Sequence, residues 1–478
     1  MENLKEKTAK GLLWGAVNNG TMQVLNLLVG IVVLRQLTPE DTGLIGMLAI
    51  FSAIAGNLQS SGFSTALINE KKPTDQQYNS VFWFNILMSF LLYTILFMAA
   101  PLIAWFFHQP RLTDLSRFLF LSFFISSFGI STNAYMVKNM MNREIAIINI
   151  TALVLSGGTA ILMALNGMAY WSLAWQQVVN SVILVAGRFC YVKWRPTLKF
   201  TFDYIRQTFS FSMKILITMI VSTVNQNLLT VLFGRLFRDV RVVGNFFQAY
   251  KWDSMAFQTV GGMVGQVAQP VLVDVREEKD RELNVFRKML RFTAFLSFPA
   301  LFGLALVAHE FILCTIGAEW AGCVPLLQIL CISGAFMPMY TLYQNLVISH
   351  GRSDINMWLN VGQIVLQLGI IMLLYQQGII IMVIGYTTFN IVWLGAWQLY
   401  ARRMIGLRFR HTAKDVVPFM LCGAGVMALT YMATLTIVNL YLLLSVRTLV
   451  AAVLYYGVMR LLNVAILREC MQFIKKKR

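Results

Sequence analysis

The sequence predicts an all-α integral membrane protein with about fourteen transmembrane helices. Of its 478 residues, 58% are hydrophobic and 13% are charged, and the mean hydropathy is +0.65. Soluble domains are about half apolar and about one quarter charged, so a chain of this composition could not keep a whole surface in water. Membrane burial explains the composition.

Fourteen apolar runs have the length, about 20 residues, that a helix needs to cross the hydrocarbon core of a bilayer. Asn439 alone separates the last two, which makes their division the least distinct. The predicted spans are 12–34, 44–68, 81–103, 115–137, 145–165, 170–192, 211–233, 243–271, 292–312, 324–348, 357–375, 379–400, 416–438 and 440–462.

The basic residues set the orientation of the spans. With the N-terminus inside, 30 of the 39 Lys and Arg residues lie in cytoplasmic segments, seven lie in outer segments, and Lys214 and Lys251 lie inside spans. Basic residues gather on the cytoplasmic side of membrane proteins. The distribution therefore predicts that both termini are cytoplasmic, and it explains the net charge of +18 without a nucleic-acid partner.

A weak internal repeat relates the first and seventh helices. Asn26-Leu27-Leu28, Arg35 and Gly43 recur as Asn227-Leu228-Leu229, Arg235 and Gly244, about 200 residues later with a one-residue gap. The copies are six positions apart in the order of helices, so both copies enter the membrane from the same side. Parallel repeats related by an axis along the membrane normal are typical of two-lobed transporters.

Four predicted helices carry polar stripes in an otherwise apolar chain. At 100° per residue, the members of each stripe fall on one helix face. A water-filled cavity between lobes is the destination that we expect, and hydrogen bonding between helices is the alternative, equally open for helix eleven. The stripes comprise Asn19, Gln23 and Asn26 in helix one, Lys214 and Asn225 in helix seven, Gln248, Lys251 and Gln258 in helix eight, and Asn356, Asn360, Gln363 and Gln367 in helix eleven.

Three charged residues inside spans are candidates for function, because charges in a membrane are costly. Lys214 lies one turn from the cytoplasmic end, so it could instead extend its ammonium group to the interface. Lys251 lies roughly 12 Å below the outer end of its helix, and we expect it to face the cavity. Asp253 lies about 160° around the helix from Lys251, so it faces another helix, where a structural pair and an ion site are both open.

The balance of these charges indicates the substrate class. The interior cations outnumber the interior anion, and a cavity of this sign favours an anionic ligand such as a phosphate or diphosphate. Lys is an adequate point-charge partner for a diphosphate, and the amide stripes can hydrogen-bond sugar hydroxyls. The sequence therefore predicts Lys214 and Lys251 as diphosphate ligands and the amides as sugar ligands.

Enzymatic chemistry is not predicted. The four histidines lie apart without metal-ligand spacing, and no two carboxylates share an intramembrane face for acid–base work. The GGMVG stretch at 261–265 lies mid-helix, where it favours helix packing over phosphate binding. We expect no catalytic residue, no metal site and no cofactor, and the sequence leaves coupling to protons, to sodium or to the membrane potential open.

Several short motifs resemble one known family. GFSTALIN at 62–69 is followed by KKPT at 71–74 and SVFWFN at 80–85, while LTPEDTG at 37–43 and GAEW at 317–320 form turns after helices one and nine. In this order they resemble the polysaccharide-transport (Wzx-type) branch of the multidrug/oligosaccharidyl-lipid/polysaccharide (MOP) flippase superfamily. The resemblance covers the whole chain in the order of its spans.

The resemblance implies a V-shaped bundle. Residues 1–205 would form an N-lobe of helices one to six, and 206–412 a C-lobe of helices seven to twelve. Residues 413–478 would hold an extra helix pair and a basic cytoplasmic tail. Lys214 and Lys251 are the nearest counterparts, in helix order, of the cavity cations that hold the diphosphate in related flippases.

The resemblance also implies a function in the bacterial inner membrane. A polyprenyl-diphosphate-linked oligosaccharide would cross from the cytoplasmic to the outer leaflet by alternating access, for lipopolysaccharide, capsule or exopolysaccharide biosynthesis. The expected partners are this glycan and membrane lipids, with a polysaccharide polymerase and its chain-length machinery as further candidates.

Two alternatives stay open. A cation-coupled drug or metabolite antiporter would need an essential carboxylate, for which Asp253 is the candidate, although helix one lacks the acidic residue typical of such antiporters. A peptidoglycan-precursor flippase would be expected to carry an Arg–Asp pair in helix one, which this sequence lacks.

Overall fold

In the computed structural model, the described residues are 4–60, 62–70, 73–237, 239–464 and 466–468. Within these ranges the chain is helical and contains no β-strand. The helices are α1 (Leu4–Leu34), α2 (Pro39–Ser60), α3 (Gly62–Asn69), α4 (Asp75–Phe107), α5 (Leu112–Ser127), α6 (Ile130–Lys138), α7 (Asn142–Leu165), α8 (Trp171–Tyr191), α9 (Phe202–Leu236), α10 (Val240–Val275), α11 (Lys279–Thr315), α12 (Cys323–Gly334), α13 (Met337–Ser349), α14 (Ser353–Leu374), α15 (Ile379–Ile405), α16 (Phe409–Ala433) and α17 (Leu440–Leu461).

The described helices make the chain a multi-pass membrane protein. Eight of them are long and apolar enough to cross a bilayer, with Cys323–Ser349 (α12 and α13) taken as one span. The count becomes nine if α5 and α6, which are bent by 44°, form one span. The all-helical membrane class is confirmed, and the count of fourteen stays a prediction.

Two of the predicted spans are interrupted helices. Residues 115–137 fall in α5 and α6, and residues 324–348 fall in α12 and α13. Hydropathy does not detect such breaks, because the residues at them remain small or apolar. Ala335 and Phe336 separate α12 from α13, and Pro338 then occupies the first turn of α13, where its missing N–H costs nothing.

The division between the last two helices is sharper than the sequence indicated. α16 ends at Ala433, and Asn439 caps the N-terminus of α17 by accepting hydrogen bonds from the backbone N–H groups of Tyr441 (3.0 Å) and Leu442 (3.1 Å). Asparagine is among the best residues for this role, because its side-chain oxygen satisfies donors that have no partner within the helix.

Contacts divide the chain into two compact units, Met1–Gly244 and Asn245–Arg478. The boundary falls inside α10, whose first turn belongs to the first unit. The proposed lobes at 1–205 and 206–412, with the terminal pair at 413–478, stay a prediction.

In the first unit, the segment between α8 and α9 is fastened to the start of α4. The Thr197 N–H donates to Asn79 Oδ1 (3.0 Å), and the Trp83 indole N–H donates to the Thr197 carbonyl oxygen (2.8 Å). The Thr201 N–H donates to the Ser80 hydroxyl oxygen (3.2 Å). These bonds satisfy backbone groups that a non-helical segment leaves open, so residues 192–201 are held against the unit.

The first unit also brings together the two glycines of the internal repeat. The carbonyl oxygen of Val240 lies where a methyl group on Gly43 would stand, and the carbonyl oxygen of Pro39 lies where one on Gly244 would stand. Pro39 precedes Gly43 by four residues, and Val240 precedes Gly244 by four. The contact between the start of α2 and the start of α10 is therefore reciprocal.

In the second unit, α11 packs against α12, α16 and α17 and carries an ion pair near each end. Arg287 Nε and Asp415 Oδ2 are 2.7 Å apart, and Arg447 Nη1 and Glu310 Oε1 are 2.7 Å apart. Arg287 and Glu310 are separated by about 34 Å along the helix, close to the roughly 30 Å thickness of a bilayer core. The two pairs therefore join α11 to α16 and α17 near opposite membrane surfaces.

Candidate functional site

Lys251 lies on an exposed stripe of α10 in the second unit. Its side chain is exposed, although it stands in the middle of a 36-residue helix. The other exposed positions of the stripe repeat at helical spacing, and they are Gln258, Gly262, Gln266 and Gln269. No carboxylate within the described ranges forms a salt bridge with the Lys251 ammonium group, so its charge is available to a ligand.

Gln248, which the sequence placed in the same stripe, is buried at 1% exposure. Gln248 lies about 60° around the helix from Lys251. This position is at the edge of the exposed stripe, next to the buried face of α10. Its side-chain nitrogen has no hydrogen-bond partner among the described residues. An unpartnered buried donor is unusual in proteins.

The remaining candidates belong to the first unit. Gln23 and Asn26 are exposed on α1, and Asn225 is half-buried on α9. Asn19 and Lys214 occupy α1 and α9, and their side chains lie outside the described part of the structure. The structure therefore supports exposed amides on α1, and the roles assigned to Asn19 and Lys214 stay predictions.

The polar stripe of helix eleven is partly used for packing. Gln363 and Gln367 on α14 are buried, and both side-chain amides donate to Asn390 Oδ1 on α15, at 2.9 and 2.8 Å. Asn360 donates to the Asn356 carbonyl oxygen on its own helix (2.7 Å). Interhelical hydrogen bonding, one of the two readings of this stripe, therefore accounts for Gln363 and Gln367.

Asp253 is on the opposite side of α10 from Lys251, as the helical spacing predicts. Its side chain is 3% exposed, and Oδ1 has no hydrogen-bond partner among the described residues. Within the same ranges the carboxyl group has no cation within salt-bridge distance. It packs against Gly334, the last residue of α12.

The sequence reasoning missed the buried pair of Glu310 and Arg447. It counted Arg447 among the outer basic residues, whereas Arg447 is the eighth residue of α17 and only 6% exposed. Besides Glu310, the guanidinium group contacts the Thr434 hydroxyl oxygen (3.0 Å) and the Tyr431 ring (5.0 Å). A Glu and an Arg in two apolar runs would have signalled such a pair, because a lone charge in a membrane needs a partner.

Replacing Glu310 by alanine should destabilise the protein by about 3–5 kcal/mol, because it leaves the buried Arg447 charge without its partner. Thermal unfolding of the purified protein in nanodiscs would measure the loss. The double variant Glu310→Leu with Arg447→Leu should recover most of it, because no unpaired charge remains. A double variant less stable than Glu310→Ala would contradict this account.

A groove of about 510 Å³ lies between α11 and α17. Phe295 and Pro299 form one wall, Ala451 and Tyr455 the other, and Arg447 is the charged residue of the lining. Because Glu310 already engages Arg447, the groove offers hydrocarbon contacts and little polar recognition. It does not suit a sugar or a diphosphate, and the exposed face of α10 remains the better candidate for a polar ligand.

Comparisons with known proteins give one consistent result. Among curated proteins, the chain is 25% identical over 365 residues to "Lipopolysaccharide biosynthesis protein WzxC" of Escherichia coli (strain K12), covering 75% of this chain and 73% of that protein. It is 25% identical over 375 residues to "Teichuronic acid biosynthesis protein TuaB" of Bacillus subtilis (strain 168), covering 77% and 76%.

Solved structures share the fold. "Lipid II flippase MurJ, inward closed conformation" superposes with a TM-score of 0.72 at 15% identity, covering 95% of this chain and 100% of that one. An inward-facing multidrug resistance transporter of the MATE family and MOP superfamily gives a TM-score of 0.66 at 15% identity, covering 80% and 94%. At this identity the likeness establishes the fold alone, which is the MOP flippase fold.

The family model described as "Polysaccharide biosynthesis protein" matches residues 32–325. The match covers more than half of the chain, and it includes the motifs at 37–43, 62–69 and 317–320 on which the resemblance depended. The resemblance is confirmed, and the chain belongs to the family described as "Polysaccharide biosynthesis protein".

Proposed function

We propose that the protein moves a polyprenyl-diphosphate-linked oligosaccharide repeat unit from the cytoplasmic to the outer leaflet of the bacterial inner membrane. The product would supply lipopolysaccharide, capsule or exopolysaccharide biosynthesis. Family membership carries this proposal, together with sequence relatives whose names refer to lipopolysaccharide and teichuronic acid biosynthesis.

The exposed stripe of α10 supports a role in binding the polar head group. A diphosphate needs a cation, and Lys251 supplies one that no described carboxylate neutralises. Gln258 and Gln266 follow on the same face and can hydrogen-bond sugar hydroxyls. Gln23 and Asn26 on α1, together with Asn225 on α9, would add sugar contacts, and Lys214 would be the second phosphate ligand.

We propose that fourteen helices span the membrane. α1, α2, α8, α9 and α10 have 31, 22, 21, 35 and 36 residues, which at 1.5 Å per residue is enough to cross a core of about 30 Å. Together with the eight clear spans and the bent pair of α5 and α6, these five helices make fourteen. An even number of spans and the excess of basic residues in alternate loops support a cytoplasmic position for both termini.

The transport cycle would follow alternating access. Two repeats related by an axis along the membrane normal can rock against each other around a fixed site, and the reciprocal contact of Gly43 and Gly244 supports such an axis. The head group would cross while the prenyl tail stays in the lipid, so transport needs no covalent chemistry. A polysaccharide polymerase and its chain-length machinery would then use the product.

Lipid extraction from cells that lack the gene tests the function. We expect a finished, diphosphate-linked repeat unit to accumulate on the cytoplasmic side of the inner membrane, as determined by mass spectrometry and by protection from a glycosidase added outside spheroplasts. Restoring the gene should release the accumulated lipid. Unchanged lipid-linked glycan, with new sensitivity to cationic dyes, would instead indicate a drug exporter.

A second candidate function has one supporting observation. Asp253 is a buried carboxylate without a described ion pair, as a cation-coupled drug antiporter would require. The structural similarity to the MATE transporter does not strengthen this second candidate, because the similarity establishes only the fold. The polysaccharide relatives therefore favour the glycan flippase, and Asp253 needs an explanation within that function.

A further inference from the structure

The carboxyl group of Asp253 stands in an unusual environment. It is 3% exposed, and Oδ1 has no hydrogen-bond partner among the described residues. An ionised carboxylate in apolar surroundings, without a partner, is among the costliest groups that a protein can bury. A carboxylic acid of the same shape, carrying a proton, is far cheaper to bury.

Asp253 also lies against the C-terminal end of a helix, which is an unfavourable position for an anion. Oδ1 lies where a methyl group on Gly334 would stand, and Gly334 is the last residue of α12. The C-terminal end of a helix carries partial negative charge from carbonyl groups without intrahelical partners. This charge disfavours an ionised carboxylate more than a neutral carboxylic acid.

This helix end lies inside a membrane span. Cys323–Ser349 is one apolar stretch, and the break at Ala335 and Phe336 divides it into α12 and α13. Interrupted helices of transporters bind coupling cations at the C-terminal ends of half-helices, where backbone carbonyls are free. A carboxyl group against such an end is well placed to take up and release a cation.

The titratable groups around Asp253 carry no compensating charge. The Cys331 thiol on α12 hydrogen-bonds the carboxyl group. Tyr250 on its own helix and Tyr386 on α15 interact with it electrostatically. Lys251 is two residues away in the sequence but lies on the other side of α10.

We propose that Asp253 is a proton-binding site, occupied while α10 is packed against the broken end of α12. The proton comes from water, resides on the carboxyl group and returns to water, and no other bond forms or breaks. A proton fits the side chains better than sodium does, because the side chain on α12 that hydrogen-bonds the carboxyl group is the Cys331 thiol, a soft group that suits hard cations poorly. No cluster of three or more metal-ligating side chains occurs within the described residues.

The site has a consequence for transport, and this step rests on the proposed function. Lys251 and Asp253 lie on opposite sides of one helix, so any movement of α10 that exposes the carboxyl group also moves the head-group ligand. Loss of the proton would leave an anion against the end of α12 and would favour that movement. Proton release and the exposure of Lys251 would thereby be linked.

Infrared spectroscopy tests the proton directly and needs no substrate. pH-difference spectra of the full-length protein in nanodiscs should show a carboxylic-acid carbonyl band that disappears in Asp253→Asn. Glu282→Gln should keep this band, because Glu282 is a different buried carboxyl group, paired with His350 (2.7 Å). A spectrum that is unchanged in Asp253→Asn would overturn the proposal.

Glycan export tests the coupling. Asp253→Asn is isosteric and neutral at every pH, so it should insert normally yet reduce export at least tenfold, and Asp253→Glu should restore part of it. Wild-type export should not change when potassium replaces sodium in the medium. Dependence on sodium, or wild-type export by Asp253→Asn, would overturn the coupling. Neither result would affect the flippase assignment, which the accumulated lipid tests separately.

Discussion

Replacement of Lys251 by alanine should abolish glycan export while membrane insertion remains intact. Each hydrogen bond between a charged group and its ligand contributes about 1.5–3 kcal/mol, so losing one weakens binding roughly ten- to hundredfold. A diphosphate that loses its cation in a low-dielectric path also faces a higher barrier to crossing. Cells that carry the variant should accumulate the lipid-linked repeat unit as the gene deletion does.

The folded state should tolerate this change. The Lys251 side chain is exposed and makes no described salt bridge, so alanine leaves no partner unsatisfied, and removing a charge from a span generally favours insertion. Lys251→Arg keeps the charge and should retain part of the export. Lys279→Ala removes an exposed lysine at the start of α11 and should export normally.

A well-folded Lys251→Ala protein that exports at the wild-type rate would contradict the diphosphate role. It would leave the family assignment standing and move the search for the phosphate ligand to Lys214. Reduced export together with reduced protein in the membrane would point to a packing defect. Quantifying the protein in the membrane fraction separates the two outcomes.

The sequence predicted local features well, because helical periodicity depends on neighbours in the chain. The exposed positions of α10 follow the 100° spacing from Lys251 to Gln258, and Asp253 lies on the other side, as expected. Composition alone was enough for the membrane class. The motifs also identified the family, because turn sequences such as that at 37–43 have fixed spacing.

Features that depend on contacts between distant segments could not be predicted. Glu310 and Arg447 are 137 residues apart: a charge in each apolar run signals that a partner is needed, but neither run shows which residue the partner is. The sequence left Gln363 and Gln367 equally open between a cavity and interhelical hydrogen bonds, and only the structure shows both donating to Asn390. The burial of Asp253 Oδ1 without a hydrogen-bond partner depends on its contact with Gly334, which hydropathy reports only as a small residue within an apolar stretch.

The internal repeat could be predicted from the sequence only in part. Sequence comparison identified Gly43 and Gly244 as equivalent positions but gave no sign that they touch. In the structure each glycine faces the carbonyl oxygen of the residue four places before the other. A side chain at either position would meet backbone, which cannot rotate away as a flexible side chain can.

Gly244→Ala should therefore cost stability and export together. Glycine-to-alanine changes inside helices usually stabilise by up to about 1 kcal/mol, but the new methyl group would overlap the Pro39 carbonyl. We expect a net loss of about 1–3 kcal/mol, seen as a lower unfolding temperature. Because Lys251 follows Gly244 by about 10 Å along α10, the displaced helix would also misplace the head-group ligand.

A matched substitution separates this effect from the loss of a glycine as such. Gly425 lies in α16 with open space at its Cβ position, so Gly425→Ala should be neutral or stabilising and export normally. The reciprocal contact also predicts the effect of Gly43→Ala. This variant should lose stability and export as Gly244→Ala does, because its methyl group would overlap the Val240 carbonyl in the same way. Opposite effects at Gly43 and Gly244 would exclude a two-fold relation, whereas equal losses would identify this crossing as the point where the two repeats meet.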